Sequence, residues 1–217
     1  MAAEFGRVSR RRLTPSPAAA RLSERGEVFR RHALSRVCAV DDRGQTGGPA
    51  EREAARALGL VMRSVRGSDF PLAREVVDAW FGRPVGLTMH RLFFEQLGPS
   101  GVWLERDGRP AGFLLGLISE AEPNLAYIHF HAVDPSRRRQ GLGRLLYRAF
   151  GHRACSRGCT RVRALAAPTN VRSLRFHEAL GFVGRFASQY VGPGQDRVVF
   201  ERDLPFEEEA PRNDREG

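Results

Sequence analysis

Apolar residues stand at Leu142, Leu145, Leu146, Ala149 and Phe150, a spacing of i, i+3, i+4, i+7 and i+8 that lays one stripe along a helix. Just upstream, Ile128–Val133 alternates in the manner of a strand and runs into Asp134-Pro135. Proline fixes φ and has no N–H to give a neighbouring strand, so pairing should stop there. Ile128–Phe150 therefore predicts a strand, a turn holding Gly141 and Gly143, and an amphipathic helix.

The same patterning extends in both directions. Gly59–Arg66 predicts a short strand. Asp69 is placed to cap a helix that accepts Pro71 in its first turn. Ala73, Val76, Val77, Trp80 and Phe81 give that helix an apolar face, and Gly82-Arg83-Pro84 stops it. A second helix is expected over Thr88–Leu97, with Met89, Leu92 and Phe93 inward. Val102–Arg106 and Ala111–Ser119 read as strands joined through Asp107-Gly108, a strong hairpin signal. A loop with Pro123-Asn124 leads into a strand over Leu125–Val133. Beyond the central helix, Arg161–Ala166 alternates as a half-buried strand. A helical crossover makes it parallel to Leu125–Val133, with right-handed connection. Val171–Leu180 is the last helix, stopped by Gly181, and Phe182–Tyr190 with Arg197–Arg202 closes the sheet as a hairpin.

Length and composition divide the chain. At 217 residues there is room for one well-filled core. Residues 1–58, rich in Arg, Ala, Gly, Ser and Pro, are expected to be a disordered leader with local helix around Ala50–Leu58. Residues 59–203 form the folded domain, and 204–217, with Glu207-Glu208-Glu209, an acidic disordered tail. The formal charge is +10 and the chain has no lysine, so all 35 basic residues are arginine. With abundant Ala and Gly this reads as a compositional bias of the coding sequence, and nucleic acid is not expected as a partner on charge alone. Cys38, Cys155 and Cys159 form no disulfide framework, which suits a reducing cytoplasm. Cys155 and Cys159 lack the second pair a zinc site needs, so no metal is expected. The apolar run Ala111–Ile118 is far short of the ~20 residues of a membrane span.

The chemistry concentrates in Arg138-Arg139-Gln140-Gly141-Leu142-Gly143. Free N–H groups at a helix start, in a turn that glycine permits and arginines surround, suit a phosphate or pyrophosphate. A plain strand-to-helix turn with solvated arginines is the bland alternative. No Lys-Ser/Thr pair follows the glycines, so this is not a Walker A loop. Leu146 stands where a dinucleotide fingerprint has its third glycine, and no acidic residue ends Arg161–Ala166, which weakens a Rossmann reading.

Arg138-x-x-Gly141-x-Gly143 after Ala132-Val133-Asp134-Pro135 resembles motif A of the GNAT superfamily of N-acetyltransferases. Asn170-x-x-Ser173-x-x-Phe176-His177-x-x-x-Gly181-Phe182 is similar to its motif B. The resemblance covers roughly 59–203. It implies an α/β (mixed α+β) fold: a central mixed sheet of six to seven strands, splayed between two parallel strands, with about four helices. It also implies an acyl-coenzyme A donor, acetyl-CoA above all. The pyrophosphate would meet the N–H groups of Arg139, Gln140, Gly141, Leu142, Gly143 and Arg144, near Arg138. The pantetheine arm would pair with the backbone of His131, Ala132 and Val133, the Val133 N–H serving the oxyanion. Asn170 and Ser173 would border the arm, with Asn170 also a plain N-cap.

Direct attack by an amine on the thioester needs a base, an oxyanion donor and a proton for the thiolate. His129 and His131, two apart on a strand, should share a face. Some arylalkylamine-acetylating members carry histidine at the position of His129, which makes it the leading base ahead of His131, with an ordinary hydrogen-bonded strand histidine as the alternative for one or both. Motif B usually has tyrosine where this chain has His177, so His177 is either the acid or a packed helix residue. Trp80, Arg83, His90, Arg91 and Glu95 are acceptor-pocket candidates, with simple packing or solvation as the alternative for each. The reading is thus an N-acetyltransferase acting on a small-molecule or peptide amine, cytoplasmic, as a possible homodimer. A non-catalytic acyl-CoA-binding module and an acetyltransferase directed at aminoacyl-tRNA are the competing functions.

Overall fold

The computed structural model describes residues 46–206. Cys38, residues 1–45 of the expected leader (1–58) and residues 207–217 of the expected tail (204–217) lie outside them. The described residues hold a helix, α1 (Pro49–Ala57), followed by strand β1 (Val61–Arg63) and helices α2 (Phe70–Phe81) and α3 (Arg91–Leu97). Strands β2 (Val102–Arg106), β3 (Arg109–Ile118) and β4 (Leu125–Val133) come next. Helix α4 (Leu142–Ser156) crosses to β5 (Arg161–Ala166), and α5 (Val171–Ala179), β6 (Val183–Ala187) and β7 (Arg197–Asp203) follow. One seven-stranded sheet runs in the order β1-β2-β3-β4-β5-β7-β6. Only the β4–β5 pairing is parallel. This is the mixed sheet that the resemblance implied.

Two layers of helix sandwich the sheet. Phe113 and Leu115 of β3 pack with Ala73, Val77 and Phe94 of α2 and α3, and with Trp103 of β2. The alternate β3 positions turn the other way: a Cβ on Gly112 would approach Leu146, and one on Gly116 would strike the Phe150 ring. The α4 stripe is therefore the stripe read from sequence, with Leu142, Leu146, Ala149 and Phe150 almost wholly buried. The Asp107-Gly108 turn has both φ values positive, 52° and 72°, the signature of the tight hairpin that pattern predicts.

Three local expectations are corrected. Asp69 does not cap α2 with its side chain; its carboxylate takes both Arg63 Nη atoms at 2.8 Å and the Arg66 N–H at 2.7 Å. A buried carboxylate with a guanidinium alongside binds it in preference to helix-end amides. Helix α3 starts at Arg91, after extended Met89, with His90 Nδ1 accepting the Leu92 N–H at 3.1 Å. That later start shifts the phase: Phe94 is 1% exposed and Leu92 49%, so Leu92 does not face inward. The third correction concerns His129 and His131, below.

Packing also continues past both expected domain boundaries. Ala55 of α1 is fully buried, and Glu51 reaches Arg148 of α4 and the Gly48 N–H. At the other end Leu204 is buried and the Phe206 ring lies against Phe182.

Candidate active site

β4 and β5 pair from Leu125↔Arg161 to Ile128↔Ala164 and no further. Leu165 and Ala166 continue on β7 instead, so His129–Val133 parts from β5 and the sheet opens between two parallel strands. Backbone groups on facing edges of such an opening are free to bind an extended ligand as an added strand.

The turn after β4 lies at one end of this opening. Asp134 Oδ1 accepts the Ser136 N–H at 2.9 Å, and a short 3₁₀ turn follows at Pro135–Arg137. Arg139 then takes φ +64° and Gly141 φ +82°, left-handed values that alternate along the turn and aim successive N–H groups into one concavity. Among the described residues the N–H groups of Arg139, Gly141, Leu142 and Gly143 donate no hydrogen bond, while Leu145 N–H already returns to Gly141 O at 2.9 Å. The partial positive charge of a fifteen-residue helix lies behind them. An anion with several oxygens fits this cradle. Arg138 is not directed at it: its guanidinium donates to Trp80 O at 2.5 Å, tying the turn to the end of α2. Gly143 also serves the packing of two helices. A Cβ there would lie 2.9 Å from the Phe176 ring, so this glycine lets α5 pack against α4.

His129 and His131 do not share a face. The β3–β4 register runs Leu115↔Phe130 and then Gly116↔Ile128, which leaves His129 unpaired in a bulge. A bulge breaks the alternation of faces. His129 stands with α3, its ring 4.5 Å from Phe93 and 6.3 Å from Tyr127. It is solvent-exposed on one side, and the protein packed around the rest holds its pKa below the usual 6.5. It is a neutral imidazole near pH 7, able to take a proton.

His131 points to the opposite layer. Its Nδ1 lies 3.1 Å from Tyr147 Oη, and that oxygen lies 3.0 Å from His177 Nε2. His177 Nδ1 in turn lies 2.8 Å from Ser173 O and 3.3 Å from Ser173 Oγ. The three rings pack with Phe176 and Phe182, and His177 stacks on Phe200 at 4.6 Å. His177 is 1% exposed, and desolvation lowers its pKa. Its imidazole is neutral and its Nε2 is engaged, so it carries no spare proton for a leaving group. Burial and the neighbouring His177 push His131 down to about 3. Asn170 caps α5 as expected, its Oδ1 accepting the Ser173 N–H at 3.2 Å. Tyr147 was not among the expected residues.

Of the acceptor-pocket candidates, Trp80 packs against Phe113 at 6.3 Å, His90 caps α3, and Arg91 pairs with Glu95 at 2.7 Å on the surface. Arg83 is exposed in the turn after α2. Leu87 is 80% exposed on the α2–α3 connection. The described residues hold no group of three or more His, Cys, Asp or Glu arranged for a metal, and no helix long and apolar enough to cross a membrane.

A mixed sheet that opens between two parallel strands, with undonated amides in the turn at its mouth, defines the class of fold. Residues 70–182 match the sequence family described as the Acetyltransferase (GNAT) family, and this chain belongs to it. Solved structures with the same fold include the ribosomal-protein-S18-alanine N-acetyltransferase from Escherichia coli, with 21% identity, TM-score 0.53, and coverage of 71% of this chain and 97% of that one. Ard1 from Thermoplasma volcanium has 22% identity, TM-score 0.56, and coverage of 67% and 98%. Diaminobutyrate acetyltransferase EctA from Paenibacillus lautus, solved with L-2,4-diaminobutyric acid and coenzyme A, has 18% identity, TM-score 0.54, and coverage of 70% and 98%. Among curated proteins none matches the sequence.

Proposed function

We propose that the protein is an N-acetyltransferase that moves an acetyl group from acetyl-CoA to the amine of a small molecule or peptide. The observation that carries this reading is the set of undonated amides of Arg139, Gly141, Leu142 and Gly143 beside the β4–β5 opening. Those amides, with Gln140 and Arg144 of the same turn, would hold the donor's pyrophosphate. The backbone of His131, Ala132 and Val133, past the last β4–β5 pair, would hold its pantetheine arm, with Asn170 and Ser173 at the far wall. The donor supplies a thioester carbonyl open to attack.

The chain's own residues divide the remaining work. His129 Nε2 or Nδ1 takes the proton that the attacking nitrogen must lose, directly or through water, and works in the neutral form that its surroundings favour. The Val133 N–H is the candidate donor to the oxyanion. A thiolate leaves readily, and His177, enclosed and neutral, supplies no proton directly. The exposed side of His129, beside the Phe93 ring, is where the acceptor would enter. EctA acts on a diamine that carries a carboxylate, and the S18 enzyme on a protein alanine; both kinds of acceptor remain within the reading.

The test is an amine and peptide panel incubated with acetyl-CoA, followed by release of free thiol. Turnover with any amine supports the reading. Tight acetyl-CoA binding with no thiol release across the panel favours a non-catalytic acyl-CoA-binding module. Neither binding nor release removes the donor altogether.

A further inference from the structure

We infer that Tyr147 is a positioning residue for the acyl donor: by accepting a hydrogen bond from His131 and donating one to His177, it pins the parted end of β4 to α4 and α5.

Proton placement along the chain of groups follows from one fixed point. Ser173 O can only accept, so His177 Nδ1, 2.8 Å away, must carry hydrogen. A neutral His177 then has a lone pair on Nε2, and the Tyr147 hydroxyl donates to it across 3.0 Å. A hydroxyl has one proton to give. Tyr147 Oη therefore accepts from His131, whose Nδ1, at 3.1 Å, must be the protonated nitrogen. Reversing the chain would require His177 to hold two protons while stacked on Phe200 and 1% exposed. Burial opposes that charge at both histidines, and His177 also opposes charge on His131. One direction remains, and it locks both imidazoles as Nδ1–H tautomers.

The three groups belong to three elements, β4, α4 and α5. His131 belongs to the stretch of β4 that no longer pairs with β5, so its side-chain bond replaces, toward the interior, the lateral support that strand pairing gives Leu125–Ile128. His177 belongs to α5, which starts at the Asn170 cap. Tyr147 is in α4, the helix whose first turn makes the anion cradle. A single buried oxygen thus relates the backbone proposed to hold the donor's arm to the turn proposed to hold its pyrophosphate. This role rests on the acyl-donor reading above, and the experiment separates the two.

Tyr147→Phe removes only that oxygen and keeps the ring contacts to His131, Phe176, His177 and Phe182. Three measurements decide. In the wild type, ¹⁵N spectra of the imidazoles should show the Nδ1–H tautomer at both His131 and His177; an Nε2–H tautomer at either overturns the clasp, whether or not the variant folds. In Tyr147→Phe, amide exchange at His131, Ala132 and Val133 should quicken about tenfold or more, since two hydrogen bonds to the segment's anchor are lost. Acetyl-CoA affinity, measured by calorimetry without any acceptor, should weaken about tenfold, while kcat at saturating donor changes less than twofold, because ground-state positioning and not chemistry is affected. Wild-type affinity in Tyr147→Phe overturns the inference and leaves the acetyltransferase reading standing. Failure of the wild type to bind acetyl-CoA overturns that reading and with it the donor-positioning role.

Discussion

The two faces of β4 treat the same side chain in opposite ways. On the α3 side, His129 has an aromatic edge for company, an open flank and no hydrogen-bond partner among the described side chains. On the α4 side, His131 is half-buried, and its Nδ1 joins Tyr147 and His177 in a run of hydrogen bonds. Two residues of sequence separate them, and a bulge turns that separation into opposite faces. A catalytic imidazole needs access and a free lone pair. A structural one needs its inward donor met, because an unmet buried donor costs about 1–3 kcal/mol. Environment assigns the roles, and residue type alone does not.

The largest expected effect tests the open face. His129→Gln should lower kcat/KM about a hundredfold or more near pH 8, the usual scale for a lost general base. The pH profile carries the sharper test. His129 acts when neutral, and its pKa lies below 6.5, so wild-type kcat/KM should hold above that value and fall as pH drops through it. That acidic limb should be absent from the variant's residual activity. An unchanged limb in His129→Gln would mean that the base lies elsewhere, and the contrast between the two faces would lose its catalytic half.

The closed face should show itself in stability and not in rate. His131 and His177 are neutral when folded and have depressed pKa values, so below about 6.5 the unfolded chain binds protons that the folded one refuses. Their contribution is fully present above the unfolded pKa and is lost as pH falls. For His131, whose folded value is about 3, the loss between pH 6.5 and 5 is about 2 kcal/mol at ~1.4 kcal/mol per unit. Urea unfolding at the two pH values measures it. No loss, or a gain, would show that these histidines are not held neutral.

Much of this arrangement was legible before any coordinates, for reasons of range. The α4 stripe, the Asp107-Gly108 hairpin and the bounds Leu125–Val133 depend on residues within one or two turns of each other, and the structure has them. The parallel β4–β5 pair followed from the crossover rule. The bulge at His129 is decided by which β3 residue faces which β4 residue, a non-local choice that alternation cannot reveal. Asp69 was drawn from its capping role by Arg63 on a separate strand. Tyr147 sits between Leu146 and Arg148 in an amphipathic helix and reads as core. The one signal was chemical: a buried tyrosine hydroxyl needs a partner, and the sequence had already marked His131 and His177 as residues with nitrogen to offer.

The smallest expected effect concerns α3, whose phase decides what borders the open face. Sequence periodicity put Leu92 inward, yet Phe94 fills the core at 1% exposure while Leu92 is 49% exposed. Leu92→Ala should therefore change stability by about 0.5 kcal/mol or less, as surface substitutions do. Phe94→Ala, which empties a site against Phe70 and Phe113, should cost about 3–5 kcal/mol. Thermal unfolding of the two variants side by side checks the phase. Phe93, one residue on, is the α3 ring that reaches His129, so the same helical phase that exposes Leu92 sets an apolar border beside the candidate base. If Leu92→Ala instead unfolds the protein as readily as Phe94→Ala, α3 is rotated from the position described, and His129 faces something other than an open acceptor side.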